Sequence, residues 1–409
     1  MSKTSRWSLA VSVSVLCAGS IAWTAQSKPL HAIVTSPAGR DGYLGHAVMW
    51  TDPGVISPLD LRNGPPGRFP YTFDEATAET GVTCAFEKPG KELGGKSAKF
   101  SCLAPGDHTL RLKYWDREHQ SGNREAFATV AATRLMWALG FVAVPALPMN
   151  VQCKDCPEDP HTGSGPRALR RYVAMWQLSV SGPRIVSGKD NDQGWTWQEL
   201  DEAINKLPPG EDRKRQRAVF DALALFGVLV QHGDRKAEQQ AMWCMDDVDL
   251  SAGEVRAEGK NGGHQVLYER AGASACRSAA AAVVDAGATF GGAGRTSNGT
   301  TAKMNLESWR KKPVFEPGGD VCRGDLTISM AADGGEGHPV ISEEGRLFLL
   351  EQLHRLTADH VRAIFEAARV DRIYKPGSHE QTTDTVDAWV ATFQDKVRQI
   401  EARHCRPGS

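Results

Sequence analysis

A chain of 409 residues with 48 basic and 49 acidic side chains carries a formal charge of −1, which leaves no global basic footprint for nucleic acid. Its charges are interspersed rather than blocked, the pattern of a solvated surface and not of an interaction tail. The length is enough to bury a substantial core in one large domain or two smaller ones.

Residues 1–25 read as a signal peptide. Lys3 and Arg6 precede the apolar run "SLAVSVSVLCAGSIA", and Ser20 and Ala22 supply small residues for cleavage. Leu16 before Cys17 argues against a lipoprotein site. No later segment is long and apolar enough to span a bilayer, so the expectation is export to a periplasmic or extracellular location. Residues 26–80 are rich in Pro and Gly ("SPLDLRNGPPGRFPYTF") and are expected to form an irregular lead-in with room for a short strand.

Residues 81–180 are expected to be β-rich with one long helix. "GVTCAF", "SAKFSCL" and "HTLRLKYW" are strand-like, with "APGD" a turn between the last two. "REAFATVAATRLMWALG" is a helix in which Phe127, Ala131, Leu135 and Leu139 fall four apart and Gly140 occupies a C-cap position. "RALRRYVAMWQLSV" returns to β-like or mixed structure. Residues 181–409 are expected to be mainly helical. "GWTWQELDEAINKL" opens a short helix, its Trp195 and Trp197 assigned to the core. "EDRKRQRAVFDALALFGVLVQ" is a long one with Val219, Leu223, Phe226 and Val230 on a single stripe. Three C-terminal helices follow, with Ser342 and Thr357 as N-caps of the first two. The order gives an α+β fold, a small β-rich part followed by a larger helical one.

Nine cysteines, less Cys17 in the leader, leave eight, an even number suited to disulfides in an oxidising compartment. Pairing of neighbours gives Cys84–Cys102, Cys153–Cys156, Cys244–Cys276 and Cys322–Cys405, one of many possible connectivities. "CKDC" could instead be half a zinc site or a redox pair, but no second CxxC completes a zinc site, and a structural loop staple is the favoured reading.

The residues able to carry chemistry come in a suggestive order. Phosphoryl transfer needs a cation on the phosphates, oxygen ligands for Mg²⁺ and a group that orients the acceptor. Lys113 lies on a strand and Glu125 on the following helix. Asp234 and Gln239 are five apart in the loop "HGDRKAEQ", and Asp285 precedes a glycine in "VVDAGATFG". Each alone has an ordinary structural reading as a solvated lysine, a helix-start acid or a turn residue.

Together they resemble the atypical protein-kinase-like fold. "HGDRKAEQ" is similar to the HxDxxxxN catalytic loop and "VVDAGATFG" to the metal-binding Asp-x-Gly element. "LGGKSAKF" resembles the "GGxxPK" stretch of HipA-type kinases, and "ATVAATRLMWALGF" resembles the helix of four-jointed-type secretory kinases. The whole chain also resembles a group of exported bacterial proteins with "HxDxKxEQQ" and "ISExGRxFL" segments. The resemblance implies a two-lobed fold, with a small β-rich N-lobe and a larger mainly helical C-lobe, that binds ATP with Mg²⁺ or Mn²⁺. It implies Lys113 on the α- and β-phosphates and Glu125 holding that lysine. It further implies Asp234 as catalytic aspartate, Gln239 and Asp285 on the metal, and Gly94 and Gly95 admitting the nucleotide. The partner would be a hydroxyl on a protein, sugar or lipid; the sequence carries no reading of oligomeric state.

Three departures bear on activity. The helix alignment puts Thr129 where the secretory kinases carry an acid, with Glu125 one turn earlier on nearly the same face. Gln239 replaces the usual Asn or Glu and is a poorer partner for a hard cation. No full GxGxxG loop is present. A catalytically degenerate kinase-like binding or interaction module is therefore the alternative reading, and a thiol-redox protein centred on Cys153 and Cys156 is a third.

Overall fold

The computed structural model describes residues 36–88, 97–106, 108–115, 123–180, 184–187, 194–245, 276–291, 303–326, 338–373 and 380–406, with the backbone of four further strands, Trp23–Thr24, His31–Thr35, Glu254–Glu258 and His264–Glu269. The first 22 residues of the expected signal peptide, and Gly94 and Gly95, lie outside them.

Five strands close a barrel: Val82–Glu87, Lys99–Ala104, His108–Trp115, Ala168–Gln177 and Ala146–Cys156, in that order. Closure comes from a parallel pairing of Val82–Ala85 with Val151–Lys154. Strand alternation sorts the side chains. Leu110, Leu112 and Tyr114 enter the barrel core, while Trp115 joins a second, larger core outside it. Lys113 is on the Trp115 side, and that alternation sends its side chain out of the barrel.

The helix Glu125–Ala138 packs there, with every residue but Trp137 buried. Burial on every side marks a helix enclosed by protein. Gly140 ends it at φ +84°, with Gly140 N–H donating to Trp137 O (3.0 Å) and Phe141 N–H to Met136 O (2.8 Å). This is a Schellman closure that a side-chain-free residue makes at least cost.

A two-stranded ribbon, Gln240–Cys244 against Ala279–Val283, separates the two cores. Ala241, Trp243, Ala280 and Ala282 face the barrel core; Met242, Cys244, Ala279, Ala281 and Val283 face the other. The ribbon is the edge of a six-stranded sheet that continues through Arg184–Ser187, His31–Thr35, His264–Glu269 and Glu254–Glu258. Beyond it lie the helices Trp197–Lys206, Glu211–Leu229, Glu343–His354, Ala358–Ala367 and Val386–Ala402. Their core holds Phe290, Phe365 and stacked Trp309 and Trp389, 5.6 Å apart. Trp195 and Trp197 are buried, and Ser342 and Thr357 accept the expected capping hydrogen bonds.

The lead-in differs from the irregular segment expected. It carries three short helices, Pro37–Gly45, Pro58–Asn63 and Phe73–Thr77, the last two with reciprocal capping boxes from Ser57 with Asp60 and Thr72 with Glu75. It gives Leu44, Met49 and Leu61 to the larger core and Ala76 to the barrel core, and it straps the buried helix to the C-terminal helices. Trp50 donates to Leu139 O (2.7 Å) at the end of the buried helix, while Arg355 reaches Asp52 and His360 meets Ile56 O.

All four neighbour-paired disulfides are formed, Cys84–Cys102, Cys153–Cys156, Cys244–Cys276 and Cys322–Cys405. Cys153 and Cys156 are both fully buried, so neither sulfur is open to the thiolate attack that redox exchange requires. Among the described residues no helix is long and apolar enough to cross a membrane.

Candidate active site

The strand that carries Lys113 and the helix that begins at Glu125 bring the two side chains together, Nζ to Oε2 at 3.1 Å. Asp285, at the end of the ribbon, takes the same ammonium at 2.6 Å. Lys113 is thus fixed between two carboxylates with its side chain only 9 % exposed. Burial alone would lower its pKa, but Asp285 and then Glu125 reverse the effect and hold it above the usual lysine value. Glu125 moves the opposite way: burial raises its carboxyl, and Lys113 and Lys303 more than offset this, leaving it below the ordinary carboxylate range.

The ribbon's register sets the rest. Past the last pair, Gln240 with Val283, Val284 N–H and Asp285 N–H both donate to Gln239 O, at 2.8 and 3.1 Å. Gly233 N–H donates to Ala288 O at 3.1 Å. The two loops are zipped by backbone, which brings Asp234, Gln239 and Asp285 to one mouth. Asp285 Oδ1 accepts Gly287 N–H at 2.9 Å, and a Cβ on Gly287 would stand 3.1 Å from Glu125 Cβ.

Three of the seven polar residues of "VQHGDRKAEQ" are structural. Gln231 is in the left-handed region at φ +54° and donates to Val228 O and Asp325 O. Arg235 stacks on Trp197 at 4.1 Å and donates to Ala224 O. His232 is buried, its backbone N–H donating to Gly227 O at 2.7 Å. Asp234, Lys236 and Gln239 remain for the mouth. Gln239 Nε2 donates to Asp234 Oδ2 at 3.2 Å, and Lys236 Nζ lies 3.8 Å from Oδ1. Burial raises the Asp234 pKa, Lys236 works against this, and Asp285 adds to it; the net direction is up. An aspartate so shifted is a better proton acceptor.

Thr129 is buried one turn further along the helix, and its hydroxyl has no hydrogen-bond partner among the described residues. Glu125, not Thr129, is the residue that meets Lys113. Gly94 and Gly95 cannot be located relative to the site, because they lie outside the described residues.

Two further lysines complete the charge cluster. Lys303 forms a salt bridge with Glu125 Oε1, and Lys99 is in register opposite Lys113 on the neighbouring strand. Lys99 had a signal, since paired strands place facing residues on one side of a sheet. Lys303 follows a stretch without periodicity and had none.

Among the described residues no group of three or more His, Cys, Asp or Glu side chains forms a ready metal cluster. Asp285 and Gln239 supply a carboxylate and an amide oxygen beside a second carboxylate, Asp234. That set suits Mg²⁺, which is commonly held by one or two protein carboxylates with phosphate and water completing its shell. A separate cavity of about 910 Å³ lies between the helices of Trp197, Phe220 and Glu343. Its Asp201 and Asp221 are already paired with Arg217, and Glu343 with Arg346, and it contains none of the Lys113 group.

No protein-family model and no curated protein matches the sequence. Among solved structures, the chain is similar to the Helicobacter pylori proinflammatory kinase CtkA, with 11 % identity and a TM-score of 0.38 over 80 % of this chain and 95 % of that one. It is also similar to a Golgi casein kinase, with 12 % identity and a TM-score of 0.31 over 81 % and 74 % of the two chains. Both are kinases, and both likenesses are distant.

Proposed function

We propose that this protein is an exported, two-lobed, kinase-like phosphotransferase that uses ATP with Mg²⁺ or Mn²⁺ to phosphorylate a hydroxyl on a protein, sugar or lipid. The observation that carries the reading is Lys113 held between Glu125 and Asp285. A buried lysine positioned by a helix acid beside a metal-competent aspartate suits the grip on nucleotide phosphates that phosphoryl transfer needs. Lys113 would contact the α- and β-phosphates and Glu125 would keep it oriented. Asp285 and Gln239 would hold the metal, which supplies charge neutralisation on the phosphates. Asp234 would orient the acceptor hydroxyl and take its proton.

The test is phosphate transfer from labelled ATP by the purified protein with Mg²⁺ or Mn²⁺, scoring self-labelling and slow hydrolysis. Asp234→Ala and Asp285→Ala are expected to lower either signal by about 100-fold or more with folding intact. If wild type and both variants show no nucleotide-dependent thermal shift, the reading is wrong.

One observation favours the second reading, a degenerate binding module. The Gln239 amide donates to Asp234, a use of this side chain that stabilises the loop without metal. Nucleotide binding with no transfer or hydrolysis would support it.

A further inference from the structure

Glu125 carries one ammonium on each carboxylate oxygen, Lys113 on Oε2 and Lys303 on Oε1. The two lysines differ in how firmly they are held. Lys113 is locked between two acids, whereas Lys303 has the more exposed side chain, 17 % against 9 %. The backbone beneath Lys303 is fixed: Arg124 donates to Met304 O at 2.9 Å, Met304 N–H to Thr289 O at 3.0 Å, and Asn305 N–H to Phe290 O at 2.7 Å. These anchors tie it to the segment that follows Asp285. Its contact with Glu125 sets the Lys303 ammonium beside the Lys113–Asp285 pair, where the reading above would put the nucleotide phosphates.

We propose that Lys303 is a second phosphate-binding lysine, which exchanges its Glu125 contact for the γ-phosphate and so makes the site prefer a nucleoside triphosphate over a diphosphate. The inference rests on the kinase-like reading above. Charge in phosphoryl transfer spreads over the oxygens of the transferred group, and a compact ammonium on a flexible stem can follow them. Glu125 keeps Lys113 when Lys303 leaves, so it does not become an unpaired buried charge. The competing explanation is that Lys303 only neutralises Glu125.

The experiment is calorimetric titration of the full protein with Mg²⁺ and either β,γ-imido-ATP, which is not turned over, or ADP. It compares wild type, Lys303→Gln and Lys303→Arg, with thermal melts to verify folding. Loss of one charge-assisted contact is expected to weaken the triphosphate analogue by about tenfold or more in Lys303→Gln, with ADP changed by less than about twofold. Lys303→Arg is expected to restore most of the triphosphate preference. A variant that weakens both nucleotides equally, or neither, overturns the assignment and leaves the neutralising role. If Lys303→Gln does not fold, Lys303→Met preserves the stem and is judged by the same ratio. A wild-type protein that binds neither nucleotide removes the kinase-like reading itself, and this inference with it.

Discussion

Lys113, Glu125 and Asp285 come from a strand, a helix start and a ribbon end; the two acids hold the Lys113 ammonium charged, and Lys113 in turn favours the Glu125 carboxylate. His232 obeys the same rules without a neutralising partner of that strength. Burial, then Arg235, pulls its imidazole from 6.5 to about 3, so it stays neutral in the folded protein where the unfolded chain protonates. Its contribution to stability is complete above pH 6.5 and is lost as the pH falls towards 3, at up to about 1.4 kcal/mol per pH unit. Between pH 6.5 and 4.5 the Glu125 carboxylate still favours the folded state. Denaturation midpoints of wild type and His232→Leu across that window are expected to diverge, the variant having the flatter profile; parallel profiles would show that His232 does not titrate this way. At this scale much was legible. The Asp234, Gln239 and Asp285 motifs carry local spacing, and it is Glu125, one turn before the aligned Thr129, that contacts Lys113. Lys303 was invisible, because its contact with Glu125 depends on how the chain returns and not on any local pattern.

The elements were legible where their periodicity was long. The helix Glu125–Ala138 and its glycine stop agree with the sequence reading, and so do the caps at Ser342 and Thr357. The short lead-in helices were missed because prolines and glycines dominate the composition, although "SPLD" and "TFDE" both carry a capping-box signature. Barrel closure was missed for another reason: residues 82–85 pair with 151–154 across most of the barrel, and no local pattern encodes a parallel partner so far away. Gly140 offers a test of the helix end. A Cβ there would fall 2.3 Å from Thr51 O and 2.5 Å from Trp50 Nε1, at φ +84°. Gly140→Ala is expected to cost about 2–4 kcal/mol, from left-handed strain together with loss of the Trp50 strap. Urea denaturation measures it, and a loss below about 0.5 kcal/mol would mean the strap yields freely.

Across the whole molecule, the disulfides close loops of very different length. Cys322–Cys405 spans 83 residues and Cys153–Cys156 only 3. In the chain-entropy account, replacing the long-range pair with serines costs about 4 kcal/mol and the short one about half that or less. Denaturation of the two double variants checks the order, and a reversed ranking would place the stabilisation in the folded state instead. The ribbon has a further consequence for how such a protein can be inherited. Ala241, Trp243, Ala280 and Ala282 complete the barrel's core from residues well beyond its last strand. A gene fragment that ends near residue 180 therefore encodes a barrel with one wall missing. Recombination at that seam would strand apolar surface on both products, so the barrel and the helices are constrained to descend together.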